Sequence, residues 1–396
     1  MSSACSVGPP AARLSAAQGE GNRSIAGDNG LIALLLPSLA GGGAERMTIN
    51  LARGLAEQGR RVDLVLGQAQ GPYRSLVPEG VRRVDLDRRQ MLATLGPLIG
   101  YLRRERPRAL VAAMNHASIV ALWAARLSGT GTPVFAGVRS HLSLEARRSR
   151  LPGDRLMPLL ARLFFPWAKA VIAVSGGVAD DLRERVGLDP NLVRVIDNPV
   201  VTPDLAELAA EAPVHPWLLE PALPVILGAG RLTIQKDFAT LIRAFAQVRG
   251  TRPARLIIIG EGPERASLQA LIHSLDLADA VALPGFQSNP FAWMRAADLF
   301  VLSSAWEGLP GVLIQAMACG TPVVSTDCPS GPREILHGGG TGLGPLVPVG
   351  DVTALAQAML STLAEPPTAE ALKRRAADFS MRAVALQYLA LLDERT

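Results

Sequence analysis

The residues best placed to do chemistry lie in the second half of the chain. Glu307 follows an apolar run and precedes Gly308-Leu309-Pro310-Gly311, where Pro310 suits a helix start that Gly320 would close. A carboxylate just ahead of a helix N-terminus is stabilised by the backbone dipole. Gln315 falls about one and a half turns inside that otherwise apolar helix, so it needs a partner if buried. Upstream, Arg231 and Lys236 flank a loop between the run 225–228 and a helical pattern over 237–248. Two cations and the N–H groups of a helix start can converge there on one diphosphate. The bland alternative makes Arg231 a solvated surface charge.

Three glycine-bearing turns accompany these residues. Gly230 opens the Arg231 loop, and Gly260-Glu261-Gly262-Pro263 follows the run 256–259. Small residues there admit a ligand closely, although Pro263 is also ordinary helix-start chemistry. In the first half, Gly41-Gly42-Gly43-Ala44-Glu45-Arg46 follows the run 31–36 and opens a helix. A dinucleotide fingerprint would need glycine or alanine where Arg46 stands, so that reading fails. A ligand loop and a tight structural turn both remain open for it.

These positions require elements to hold them. Apolar runs over 31–36, 62–66, 109–113, 133–138 and 170–174 read as strands, with a helix over 45–58 that Gly59 stops. The pattern restarts with runs over 225–228, 256–259, 281–283, 299–302 and 322–325, and a helix over 263–275. Apolar runs without alternation mark strands buried on both faces, hence parallel sheets in βα units. Six prolines between Pro199 and Pro224 disfavour continuous helix or sheet and read as a linker. The expected fold is α/β, two Rossmann-like doubly wound domains facing across a cleft. Their bounds are a leader over 1–28, an N-terminal domain over 29–200, a linker over 201–223 and a C-terminal domain over 224–375. A final helix over 376–396 is expected to pack back on the first domain.

Composition agrees with folded cores, at 48% hydrophobic and 19% charged residues. Aromatics at 4% disfavour a base-stacking surface, so no nucleic-acid partner is expected. Three widely spaced cysteines, Cys5, Cys319 and Cys328, suggest a reducing cytoplasm and no metal-ligand pattern. No apolar run is long enough for a membrane span. The positive charge is almost all arginine, the lysines being Lys169, Lys236 and Lys373.

The order of these motifs, joined by Val174-Ser175, Asn198-Pro199 and Ser330-Gly331-Pro332-Arg333-Glu334, resembles the family-4 retaining glycosyltransferases, the group 1 family with the GT-B fold, from about Leu31 to Leu336. The resemblance implies a nucleotide-sugar donor, with Arg231 and Lys236 matching the cations that hold its diphosphate. Glu307 matches the first glutamate of the family's E-x7-E pair, which contacts hydroxyls of the transferred sugar. It places the backbone of Leu309, Gly311 and Val312 near phosphates and sugar, and Gly42 and Gly43 in a loop that closes on the donor or orients the acceptor. The second glutamate, which accepts from both ribose hydroxyls, falls on Gln315, whose amide has one carbonyl acceptor. Many relatives carry a histidine after the fifth strand. Here Arg139 stands near that place, facing a donor phosphate or an anionic acceptor, with His141 two residues on. His116 is a second candidate, and a structural role is open for both histidines. Asp85-Leu86-Asp87 spells a metal motif of other glycosyltransferase folds, but it reads as structural, and neither metal nor cofactor is expected.

The resemblance further implies retention of configuration, read as front-face attack with the leaving phosphate helping to deprotonate the acceptor. Arginines interleaved with large apolar residues over 139–167 suit either an anionic membrane surface or a core helix with a solvated face. The expected reaction is sugar transfer, UDP-linked, to a saccharide or polyprenyl-diphosphate-linked acceptor in cell-envelope or exopolysaccharide synthesis. The expected place is the cytoplasm, peripheral on the inner face of the membrane. A weak sugar-nucleotide-binding protein and an epimerase of the same fold are the alternatives.

Overall fold

A computed structural model describes residues 30–394 except 150, 220, 221, 339 and 341, so the expected leader over 1–28 lies outside the described residues. Seven strands form the first sheet: β1 Ile32–Leu36, β2 Val62–Leu66, β3 Val81–Asp85, β4 Ala109–Ala112, β5 Val134–Val138, β6 Ala170–Ala173 and β7 Val193–Val195. Six form the second: β8 Val225–Ala229, β9 Arg255–Ile259, β10 Val281–Gly285, β11 Leu299–Leu302, β12 Val323–Thr326 and β13 Leu346–Val347. Every pairing is parallel, in orders β3-β2-β1-β4-β5-β6-β7 and β10-β9-β8-β11-β12-β13. β1 lies between β2 and β4, with Ile32 opposite both Val62 and Ala109. β8 lies likewise between β9 and β11. Strand order therefore reverses beside β1 and beside β8, and crevices open beyond the carboxyl ends there.

The central strands bury both faces, as their unbroken apolar runs require. One charge is built in: Asp63 of β2, 2% exposed, accepts from Arg82 Nε at 2.8 Å and from the Tyr101 hydroxyl at 2.6 Å. Burial, then the bond to Asp63, drive the Tyr101 phenol far above its ordinary value. The Pro-rich stretch carries two short helices, Leu205–Ala210 and Pro216–Leu219. The last helix, Met381–Asp393, lies against the helix Gly43–Glu57 of the first half, with Val384, Ala385 and Tyr388 in that half's core. Its Asp393 pairs with Arg60 at 2.8 Å and Arg108 at 2.9 Å.

Three helix starts differ from the pattern read in the sequence. The helix after β8 is Phe238–Thr251, because Asp237 adopts φ +43° and caps it, accepting from the Thr240 hydroxyl at 2.7 Å. The helix after β9 begins at Arg265, Pro263 serving the turn before it, and the helix after β11 begins at Gly311 with Pro310 as its cap. Removing the buried carboxylate of Asp63 leaves the buried Tyr101 hydroxyl without its acceptor, while Arg82 keeps Glu105 at 2.8 Å, so Asp63→Ala should lower unfolding free energy by about 1–3 kcal/mol. Urea unfolding checks this, as a lower midpoint at unchanged slope.

Candidate active site

A cleft of about 950 Å3 opens between the halves. Its first wall is the residues beyond β4 and β5, from Ala113 to His116 with Arg139 and Ser140. Its second wall is Arg231 and Thr233–Lys236 beyond β8, Pro263 and Glu264 beyond β9, and Trp306 beyond β11. The site thus sits at both reversals of strand order.

Lys236 and Glu307 meet there, Nζ to Oε1 at 2.5 Å, with side chains 16% and 8% exposed. The Ser304 hydroxyl donates to the same oxygen at 2.6 Å, and Ser303 anchors the Lys236 carbonyl at 2.8 Å. A carboxylate this buried needs such partners, and the ammonium and the hydroxyl supply them at one oxygen. Arg231 stands at the exposed rim. Gly230 carries the turn at φ +155°, beside the Lys236 side chain. Gly260, at φ +134°, has no room for a Cβ, which would lie 1.9 Å from the Gly230 carbonyl oxygen. At Gly262 the Leu232 carbonyl oxygen would be 2.3 Å away. The close approach these two glycines permit is thus of loop to loop, and it fixes the Arg231 segment.

Leu309, Gly311, Val312 and Gln315 continue from Glu307 into the helix Gly311–Cys319, with Leu309 and Gln315 buried. Gly42 caps the helix Gly43–Glu57 beside the Glu45 carboxylate, and Ala44 reaches the cleft wall. Arg46 lies 5.9 Å from the ring centres of Tyr73 and Phe291, one from each half.

Arg139 is fixed by a three-way fork. It donates to the Ala113 carbonyl at 2.9 Å, Asn198 Oδ1 at 2.5 Å and the Thr48 hydroxyl at 3.3 Å. Burial pulls its guanidinium below the ordinary value, opposed by Tyr388 and Glu45. The Asn198-Pro199 pair is thereby explained, since Asn50 also binds the Pro199 carbonyl at 2.8 Å. His141 is not brought to this cleft. Its Nδ1 lies 3.4 Å from Asp181, its Nε2 is buried without a partner among the described residues, and it lines a separate cavity of about 310 Å3 with Arg147, Asp180 and Glu184. Burial works against the Asp181 charge, yet bonds from His141 and Ser143 hold that carboxyl below its usual range. His116 does line the cleft, 3.6 Å from Asp154. Asp85 accepts the Asp87 N–H at 2.8 Å within a local turn.

The sequence left several residues unremarked. Asn115 opens the helix after β4 with a buried Oδ1 that has no partner among the described residues. Glu145 lines the cleft, its carboxyl raised by burial despite a hydrogen bond from Ser140. A seam joins the halves beside Glu307. Ser175 Oγ donates to the Gly308 carbonyl at 2.8 Å, and Ser330 Oγ to the Glu307 carbonyl at 2.7 Å. The N–H groups of Gly176 and Gly177 donate to the Glu334 carboxylate at 2.7 and 3.0 Å.

Residues 41–203 match the model described as Glycosyltransferase Family 4, and residues 223–365 match Glycosyl transferases group 1. The chain belongs to the group 1 glycosyltransferases. It is 29% identical over 369 residues to a lipopolysaccharide core biosynthesis glycosyltransferase of Rhizobium meliloti, covering 89% of this chain and 96% of that one. It is 32% identical over 219 residues to the N-acetylgalactosamine-N,N'-diacetylbacillosaminyl-diphospho-undecaprenol 4-alpha-N-acetylgalactosaminyltransferase of Campylobacter jejuni, covering 55% and 57%. Several other curated relatives are matched over about half their length or less. The Anabaena protein HepE, solved with UDP and glucose, superposes with a TM-score of 0.73 at 24% identity, covering 92% of this chain and 99% of that one. The fold of this family member is GT-B.

A Cβ on Gly308 would lie 2.0 Å from the Arg139 carbonyl oxygen. Gly308→Ala must therefore part the seam, at a cost of about 1–3 kcal/mol. The expected readouts are a lower melting temperature and a larger radius of gyration in X-ray scattering.

Proposed function

We propose that this chain transfers a sugar from a nucleoside-diphosphate donor, UDP-linked, to a saccharide or polyprenyl-diphosphate-linked saccharide, with retention of configuration and without a metal. The observation that carries this is the Lys236–Glu307 pair beside Arg231, in the cleft between the two halves of a group 1 family member. The reaction breaks the bond between the anomeric carbon and the diphosphate oxygen, and charge builds on the leaving phosphate. Arg231 and Lys236 are the cations for that charge, already in place and needing little reorganisation. Glu307 faces the sugar hydroxyls. The acceptor oxygen attacks from the side the diphosphate leaves, its proton passes to the departing phosphate oxygen, and configuration is retained. Two protein cations can balance the diphosphate, which supports metal independence. The UDP reading leans on HepE, and the acceptor class on the names of the Campylobacter and Rhizobium relatives.

The acceptor class fits an exposed ridge on the first half. Leu151, Leu156, Leu159 and Leu163 are each more than half exposed, beside a cluster of Trp123, Phe164 and Trp167 with ring centres 5.0–5.6 Å apart. Arg147, Arg155 and Arg162 are exposed on the same segment. Apolar side chains among arginines suit peripheral binding to an anionic leaflet. Among the described residues no helix is long and apolar enough to cross a membrane. The enzyme should float with phosphatidylglycerol vesicles, not with phosphatidylcholine ones. Leu156→Ser/Leu159→Ser/Leu163→Ser should abolish flotation, and its persistence would refute the ridge.

The donor site is tested by thermal shift without added metal. UDP or a UDP-sugar at a hundredfold excess over its dissociation constant should add about 2.7 kcal/mol of stability. GDP and ADP should add less, and Arg231→Ala/Lys236→Ala should lose the response. No response to any nucleotide would overturn the reading. Stabilisation without transfer to any acceptor would favour the sugar-nucleotide-binding protein that Gln315 suggests.

A further inference from the structure

The loop Ser303–Gly308 is tied to its own half at several points. Ala305 donates to the Gln235 carbonyl at 2.8 Å, and the Gln235 amide to the Trp306 carbonyl at 3.0 Å. Lys236 and Ser304 hold the Glu307 carboxylate. Besides the close approach of Gly308 to the Arg139 carbonyl, two side chains of the other half reach this loop, and they differ in kind. On the inner side, Ser175 donates to the Gly308 carbonyl, both groups buried. On the other side, the Arg148 guanidinium sits over the Trp306 indole, 4.1 Å from the ring centre, with both residues lining the cleft. Arg148 is exposed, ends the helix Leu142–Arg148 and pairs with no carboxylate among the described residues.

We propose that Arg148 is a positioning residue, a latch on the open side of the cleft that reports the position of the first half to Glu307 through Trp306. The buried seam at Ser175–Gly177 is the pivot. It is built of directed bonds to backbone groups, and Gly177 packs so tightly that a Cβ would lie 2.5 Å from Ser330. The Arg148 contact is weaker and water-accessible, about 0.5–2 kcal/mol for a cation over an indole. A weak contact on the open side can break without disturbing the directed bonds of the seam, letting donor enter and product leave. Closed, it clamps the residue next to Glu307 from the acceptor side. The planar guanidinium can stack on the ring, which a lysine does less well.

Hydrogen exchange on the full chain, without ligand, tests the latch independently of the reaction. Arg148→Ala should speed exchange in peptides covering 303–309 about two- to thirtyfold, the range that contact energy implies. Arg148→Lys, which keeps the charge, should fall between Ala and the wild type, and Trp306→Ala should match Arg148→Ala with no further gain in the double variant. Unchanged exchange over 303–309 in Arg148→Ala would overturn the latch, even if the helix Leu142–Arg148 loosens. The activity arm rests on the transferase reading. There, Arg148→Ala should raise donor hydrolysis relative to transfer, as an unclamped cleft admits water. Lost transfer with unchanged exchange would assign Arg148 to substrate binding instead. A wild type inactive with every donor would sink the transferase reading while the exchange result still judges the latch.

Discussion

Glu307 lies where the two halves meet, and one steric constraint sets their register. The peptide at Gly308 lies so close to the Arg139 carbonyl that no side chain fits between them. Ser175 bonds the Gly308 carbonyl from the first half, and Ser330 the Glu307 carbonyl from the second. The carboxylate of Glu334 takes two N–H groups at the start of the helix Gly176–Asp180, a stabilising place for a negative charge. The glutamate is therefore carried on one sheet but located by both. This also accounts for the spread of the motifs: Val174-Ser175, Asn198-Pro199 and Ser330–Glu334 are remote in sequence and adjacent in the fold because they build a single seam.

Within that frame the Lys236–Glu307 pair resolves a conflict between stability and function. A carboxylate as buried as Glu307 is costly unless partnered. Lys236 and Ser304 satisfy one oxygen at 2.5 and 2.6 Å. The ammonium that partners Glu307 is also a compact, rotatable charge, the kind suited to a phosphate. Arg231 stands at the exposed rim and pairs with no carboxylate among the described residues. The pair thus joins the loops beyond β8 and β11.

How much of this the sequence disclosed depends on whether the signal is local. Buried parallel strands announce themselves by unbroken apolar runs, so the central strands of both sheets were legible. Three of the four edge strands do not: Val193–Val195 and Leu346–Val347 are short, and Val81–Asp85 and Val193–Val195 carry arginines that face water, whereas the fourth, β10, showed as the run 281–283. Arg231, Lys236 and Glu307 were legible because each follows a strand end, and the strand order brings β8 next to β11. The roles of Gly260 and Gly262 were only half visible, since a glycine reveals a close approach but not of what. His141 looked eligible by position after β5, yet the following helix turns it towards Asp181. Trp306 with Arg148, and Glu334 with Gly176 and Gly177, are pairs across more than a hundred positions, and no local pattern marks them.

The chain's preference for arginine over lysine follows from the same division. Arg139 reaches three segments with one fork, and Arg375 makes three bonds of its own. Buried behind the seam, Arg375 donates to the carbonyls of Ile335 at 3.0 Å and Glu334 at 2.7 Å and to Asp378 at 2.6 Å. A planar group with five donors can satisfy several acceptors at fixed angles, which a structural cation must do when water is excluded. A lysine there would leave carbonyls unpaired, at about 1–3 kcal/mol each. At position 236 the demand is reversed. Lys236 meets the single oxygen Oε1 of Glu307, a point contact that a compact, rotatable ammonium makes without a fork.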